Sequence, residues 1–369
     1  MRYKTAFLFI ADCLRLKESN AHKSALIYQI TAKQIIWEDV VKIASNHLVI
    51  PLLYIRIKEA GISSYLPKDL QEYLQTITDL NRTRNTLLLK EVDRLNKVFI
   101  ENDIQVIYLK GTAHLLKGLY GDVGERMIGD IDLLVAPSKM EYLADILLEL
   151  DYKPLAKYEP SLFERTKHYP RLVNPENSFA VEIHKAVVQK VRNRYLTFKQ
   201  YDIEKESFHS YFLPSNKHLI IHNILNTQLN DSGYLLSTLN LRQQYDLLLL
   251  SQITNIEPVI KSAGYLQKKM RAYLIKTDYI FKHVAGLNYN RTTGSRIHVY
   301  LLGHYFRSPK LFKFVQKIRY TSYRIGSDMY HLLLNMFHPF LRKKMFNHLK
   351  DPKWMVTYFS KMRSKINSI

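Results

Sequence analysis

Residues 104–137 read IQVIYLKGTAHLLKGLYGDVGERMIGDIDLLVAP, and the expected architecture follows from them. IQVIYL (104–109) is a short apolar run rich in β-branched residues, the signature of a strand. Lys110-Gly111-Thr112 closes it, and AHLLKGLY continues with helical spacing. In IGDIDLLVAP (128–137), Ile131, Leu133 and Val135 alternate with Asp130, Asp132 and Leu134, which predicts a second strand. KMEYLADILLEL (139–150) predicts a helix with Ser138 as its cap. TKHYPRLVN (166–174) and SFAVEIHKAVV (178–188), parted by a Pro/Asn turn, predict two more strands. Strand, helix, strand, helix and two strands make a small α/β unit of about 90 residues.

Outward from this unit the texture is helical. LPKDLQEYLQTITDLNRTRNTLLLKEVDRLNKVFI (66–100) repeats Leu, Ile and Val at three- and four-residue steps. Pro67 falls where a first turn tolerates it, and Pro51 marks another helix start or a kink. The N-terminus, MRYKTAFLFIADCLRL, has the charges and apolar run of a signal peptide. Asp12 interrupts that run and no small-x-small cleavage site follows, so an amphipathic helix is expected instead. After about Ser215, HLIIHNILNTQL and LNLRQQYDLLLLSQ carry helical stripes. The expected architecture is α+β: a helical region over residues 1–100, a small mixed-sheet core over 101–200, and a helical region over 201–369.

With 47% apolar and 24% charged residues, disorder is excluded as the default state. The single cysteine, Cys13, can form neither an intramolecular disulfide nor a cysteine zinc site, which fits a reducing compartment. No uncharged apolar run of 18 residues occurs, so no segment is expected to span a bilayer, and the chain reads as cytoplasmic. The net charge of +21 is uneven. From Lys261 onward there are 22 Lys and Arg against Asp278, Asp328 and Asp351, a balance of +19, which leaves +2 for residues 1–260. Three readings of the basic segment 261–369 stand side by side. It binds nucleic acid such as RNA through phosphate contacts and base stacking. It lies on an anionic membrane surface, where MYHLLLNMFHPFLRKKMFNHLKDPKWM (329–355) mixes apolar bulk with Arg342, Lys343, Lys344 and Lys350. Or it is a solvated helical bundle with excess charge.

Asp130 and Asp132 are two apart on a strand and share a face. Two carboxylates that close repel unless a cation sits between them, and Mg²⁺ suits such a pair while keeping positions open for phosphate and water. Glu182 would be a third carboxylate if its strand lies beside them. Gly111 allows close backbone approach at a helix start, a phosphate-binding feature to which Lys110 and Arg126 add charge. His184 shares the face of Glu182, as a substrate contact or as a strand histidine with a local hydrogen bond. His218 and His222 stand one helical turn apart, as a metal pair or, the favoured reading, as packing histidines. Arg242 and Asp246 are read as a helix-face ion pair, with a place in a substrate cleft as the alternative. Tyr169 and Arg171 would flank an acceptor, although a structural role is favoured.

The run IYLKGTAHLLKGLYGDVGERMIGDIDLLV resembles the active-site region of the DNA polymerase β-type nucleotidyltransferases. It is most similar to an uncharacterised bacterial nucleotidyltransferase family often found beside polysaccharide and peptide biosynthesis genes. Lys110-Gly111-Thr112, Arg126, Asp130, Asp132 and the strand Val181-Glu182-Ile183-His184 match the pattern, and the similarity spans roughly residues 1–255. Two departures stand out: Gly111-Thr112 replaces the usual Gly-Gly or Gly-Ser, and GLYGDVGER lengthens the gap to Asp130. The resemblance implies that Asp130 and Asp132 hold two Mg²⁺ (or Mn²⁺) ions about 3.5–4 Å apart. It implies that Glu182 ligates the catalytic ion and helps deprotonate the acceptor, and that Gly111 and Thr112 grip phosphates of an NTP. Lys110 or Arg126 would neutralise the departing pyrophosphate. The implied reaction moves an NMP to a hydroxyl or phosphate of a small acceptor, in polysaccharide or other surface-polymer synthesis. The rivals are transfer to RNA or protein, and a non-catalytic anion-binding module at a membrane.

Overall fold

The computed structural model describes residues 2–16, 20–156, 167–177, 179–188, 196–282, 286–337, 342 and 350–367. The chain forms two compact units, Met1–Tyr234 with Leu239–Val299, and Leu235–Thr238 with Tyr300–Ile369.

The first unit opens with helices α1 (Arg2–Leu14), α2 (Asn20–Thr31), α3 (Trp37–Asn46) and α4 (Ile50–Glu59). The N-terminal apolar run is indeed a helix, burying Phe7, Phe9 and Ile10. Pro51 sits in the first turn of α4, where its missing N–H is no loss. Helix α5 (Lys68–Glu101) buries Leu70, Leu74, Thr78, Asn81, Asn85, Leu88, Val92, Leu95 and Phe99, an unbroken three- and four-residue rhythm. Three of those nine are polar, and two of them serve the site below.

A mixed sheet follows: β1 (Ile107–Tyr108), α6 (Lys110–Leu116), β2 (Asp130–Leu134), α7 (Met140–Glu149), β3 (Lys153–Pro154), β4 (Leu172–Val173), β5 (Ala180–His184), α8 (Phe198–Ile203), β6 (Glu206–Phe208) and β7 (Tyr211–Leu213). The strand order is β3-β4-β5-β2-β1-β7-β6. Strand β2 runs antiparallel to β1 and parallel to β5, and β7 adds to β1 in parallel. Ile131, Leu133, Val181 and Ile183 are fully buried and anchor the two central strands. The sheet and flanking helices are the expected mixed α/β arrangement, and the hairpin β6–β7 is an addition that the sequence pattern did not predict. Ser138 is not a helix cap: it lies in a 3₁₀ turn, Pro137–Lys139, and Lys139 leads into α7 without a side-chain cap bond.

Beyond the sheet come α9 (Asn216–Leu225), running directly into a π-helical turn, Asn226–Asn230, then α10 (Leu241–Ile253), α11 (Ile256–Ser262) and α12 (Gln267–Ile280). Helix α13 (Thr293–Arg307) leads into the second unit, which holds α14 (Pro309–Met336) and α15 (Pro352–Asn367). Lys343 and Lys344 lie outside the described residues. Among the described residues no helix is long and apolar enough to cross a membrane.

Candidate active site

The parallel pairing of β2 with β5 sets Asp132 directly opposite Glu182. Both side chains therefore leave the same face, while Ile131 and Ile183 enter the core. His184 Nε2 lies 2.8 Å from Asp132 Oδ1 and 3.3 Å from Glu182 Oε2. A ring nitrogen facing two carboxylate oxygens carries the hydrogen that they share, so His184 ties the two strands' acids together. The Lys110 ammonium bonds Asp132 and lies 3.6 Å from Glu182. Lys110 has φ 50°, the left-handed region a lysine seldom adopts. Backbone strain of this kind gathers at functional sites, and here it accompanies a lysine aimed at the carboxylates.

Electrostatics follow the geometry. Burial alone would push the Asp132 carboxyl up, but the Lys110 charge and His184 hold it well below the usual carboxylate range. The His184 hydrogen bond lowers Glu182 against burial and the Asp132 charge. Asp130 differs: burial raises its carboxyl, opposed by Arg171, which forms an ion pair with it. Asp132, Glu182 and His184 each offer a ligand atom within 4.8 Å of the others, a donor set that fits a divalent cation. Asp130 is outside that cluster.

A cavity of about 430 Å³ opens beside these groups. Lys110, Gly111, Asp130 and Asp132 line it from the sheet side; His222, Asn226 and Arg242 line it from α9, the π turn and α10. Thr112, by contrast, is fully buried, its hydroxyl has no hydrogen-bond partner among the described residues, and it is not part of the cavity wall.

Arg126 and Asp246 are both in the wall, joined to each other. The guanidinium grips the Asp246 carboxylate through two bonds of 2.8 and 2.7 Å, and Tyr120 and His114 also face that carboxylate. Burial would raise the Asp246 carboxyl, yet Arg126 above all drives it well below its ordinary value. The expected Arg242–Asp246 pair is thus replaced: Asp246 takes Arg126, and Arg242 donates to the Met127 carbonyl at 2.6 Å. Arg126 also explains Gly111. A Cβ there would collide with its guanidinium and come within 2.9 Å of Ile128 Cγ1.

The long segment between Gly111 and Asp130 is clamped throughout. Asn81 donates to the Gly124 carbonyl and Asn85 to those of Val123 and Arg126, at 2.7–2.8 Å. Arg82 binds Asp122, Arg84 reaches the Gly129 carbonyl, and buried Arg56 pairs with buried Glu125 at 2.9 Å. Sequence reading missed these supports. Their one signal was polar asparagines on an otherwise apolar helical stripe.

The histidine pair on α9 divides. His222 is in the cavity wall, whereas His218 stacks on Tyr201 at 4.2 Å and contacts Ser215. Among the described residues they belong to no group with metal-ligand spacing. Tyr169 is buried, and Arg171, favoured as structural, reaches Asp130.

Paired acids on adjacent parallel strands, a lysine beside them and a cavity lined by Lys110, Arg126, Arg242 and Asp132 form a charged site suited to oxygen-rich ligands. Residues 33–270 match the family described as uncharacterised nucleotidyltransferases, and the chain belongs to that family. Its general reaction is accordingly nucleotidyl transfer, with an NTP as substrate. No curated protein matches the chain.

Proposed function

We propose that the protein moves an NMP from an NTP, with release of pyrophosphate, to a hydroxyl or phosphate of a small acceptor in the cavity lined by Asp130 and Asp132 of β2, by a polymerase β-type reaction. The observation that carries this reading is Asp132 opposite Glu182, in register, beside Lys110. A divalent cation, Mg²⁺ or Mn²⁺, held by Asp132 and Glu182 with Asp130 or His184 completing the set, would supply positive charge to the reacting phosphate oxygens. Lys110 contacts the phosphates and draws them to the carboxylates, and Asp246 fixes the Arg126 guanidinium in place at the cavity wall. Gly111 keeps the wall low enough for that guanidinium. Such transfers depend chiefly on positioning and electrostatics, which these residues provide. The protein with each α-labelled NTP, Mg²⁺ or Mn²⁺ and a cell extract should label one acceptor; the reading fails if no nucleotide yields label under either metal.

The ion pairs of Asp132 with Lys110 and of Asp130 with Arg171 favour a second reading, a non-catalytic anion-binding module whose acids are already neutralised. NTP binding without metal-dependent pyrophosphate release would decide for it.

A further inference from the structure

Among the described residues, the second unit carries an exposed apolar surface that the nucleotidyl-transfer chemistry does not use. From Tyr300 to Ile369 the sequence holds 14 Lys and Arg and only Asp328 and Asp351 as acids. Its main helix, α14, spans 28 residues, about 42 Å. Along it Leu311, Val315, Ile318, Ile325, Met329 and Leu333 recur at three-, four- and seven-residue steps, and Phe314 sits beside them. All are exposed, most of them by half or more. The inner face is different: Phe312, Gln316 and Tyr320 are buried, Phe312 against Tyr305, and Gln316 donates to the Leu236 carbonyl within the same unit. By helical periodicity Lys310 and Lys317 flank the apolar stripe on one side, where Asp328 also lies, and Arg319 on the other, while Lys313 falls nearly opposite it. The helix thus has a packed side and an apolar side that is exposed among the described residues, with basic residues on both flanks of the latter.

An exposed apolar stripe of this length, broken only at Ser322, is rare on a monomeric soluble protein and marks an interaction surface. We propose that α14 lies flat on an anionic lipid bilayer, its apolar stripe seated at the headgroup–acyl boundary and its lysines against lipid phosphates. A helix that rests in the interface needs an apolar stripe flanked by Lys and Arg, and this one has both. Basic residues near such a surface add electrostatic attraction that salt screens. The stripe is mainly aliphatic, which argues against single-stranded nucleic acid, where aromatic faces do the stacking. This assignment stands apart from the transfer reaction and survives or fails independently of it.

The test is co-sedimentation of the full chain with vesicles of phosphatidylcholine alone and of phosphatidylcholine mixed with phosphatidylglycerol. Binding to the anionic vesicles, weakened by added salt, is expected, with little binding to neutral ones. Ile318→Ser/Ile325→Ser/Met329→Ser should cut that binding about tenfold or more, and because all three side chains are exposed, its melting temperature should match the parent's. Lys310→Glu/Lys317→Glu should cut binding too and reduce its salt dependence. The proposal is overturned if the chain ignores anionic vesicles, or if the triple variant binds them as well as the parent. It is equally overturned if the triple variant instead abolishes tRNA retention, or dissolves a dimer seen by analytical ultracentrifugation.

Discussion

Gly111 is a glycine because Arg126 occupies the space a side chain would need. Gly111→Ala must therefore displace a guanidinium that Asp246 holds by two bonds. Overpacking of this kind costs about 1–3 kcal/mol, so a urea titration should show that loss together with weakened transfer; unchanged values for both would remove the assigned role. His184 acts at the same scale. Its Nε2 serves two carboxylates, and its Nδ1 has no partner among the described residues. Residues that orient ligating groups commonly contribute about 10–100-fold. His184→Ala is expected to lower transfer within that range while β2 and β5 stay paired, which amide exchange of Ile131 and Ile183 can check.

At the scale of elements, α5 is both a wall of the core and the mould for the segment between α6 and β2. Asn85 donates to the Val123 and Arg126 carbonyls, and Asn81 reaches the latter as well, at 3.4 Å. Replacing Asn85 by leucine removes two hydrogen bonds, at about 0.5–1.5 kcal/mol each, so amides of residues 120–128 should exchange faster while those of β2 remain protected. This element also shows what the sequence could and could not disclose. The helix, the alternation around Asp130 and Asp132 and the strand carrying Glu182 were legible, because apolar periodicity records which face is buried. The mould was hidden, since Asn81 and Asn85 occupy stripe positions where only tertiary contacts say what they hold. The hairpin β6–β7 was illegible for another reason. Its strands have three residues each and an almost wholly exposed or half-exposed face, too short for a period to register. The Arg126–Asp246 pair joins residues 120 positions apart, and the nearer Arg242, one helical turn away, was the misleading candidate.

For the whole molecule, the buried Arg126–Asp246 pair ties the catalytic sheet's approach segment to α10 and makes stability depend on acid. The Asp246 carboxyl is depressed in the folded state, so its contribution is complete above its unfolded value of about 3.9 and is lost as pH falls through the lower folded value. Acid unfolding should therefore steepen below about pH 4. Asp246→Asn should cost about 3–5 kcal/mol at neutral pH, because it strands a buried arginine. Chemical denaturation at pH 7 and at acid pH would reveal either effect, and an Asp246→Asn variant as stable as the parent would contradict the pairing. The family match ends at residue 270, so most of the basic excess lies beyond it, in keeping with a separate task for the second unit. The proposed chemistry turns on the acids of β2 and β5. The most direct measurement is pyrophosphate release and label transfer from an α-labelled NTP by the parent, Asp132→Asn and Glu182→Gln, with circular dichroism confirming each fold. Transfer by the parent and its loss in both folded variants is the predicted result. Undiminished transfer by a folded Asp132→Asn protein would contradict it.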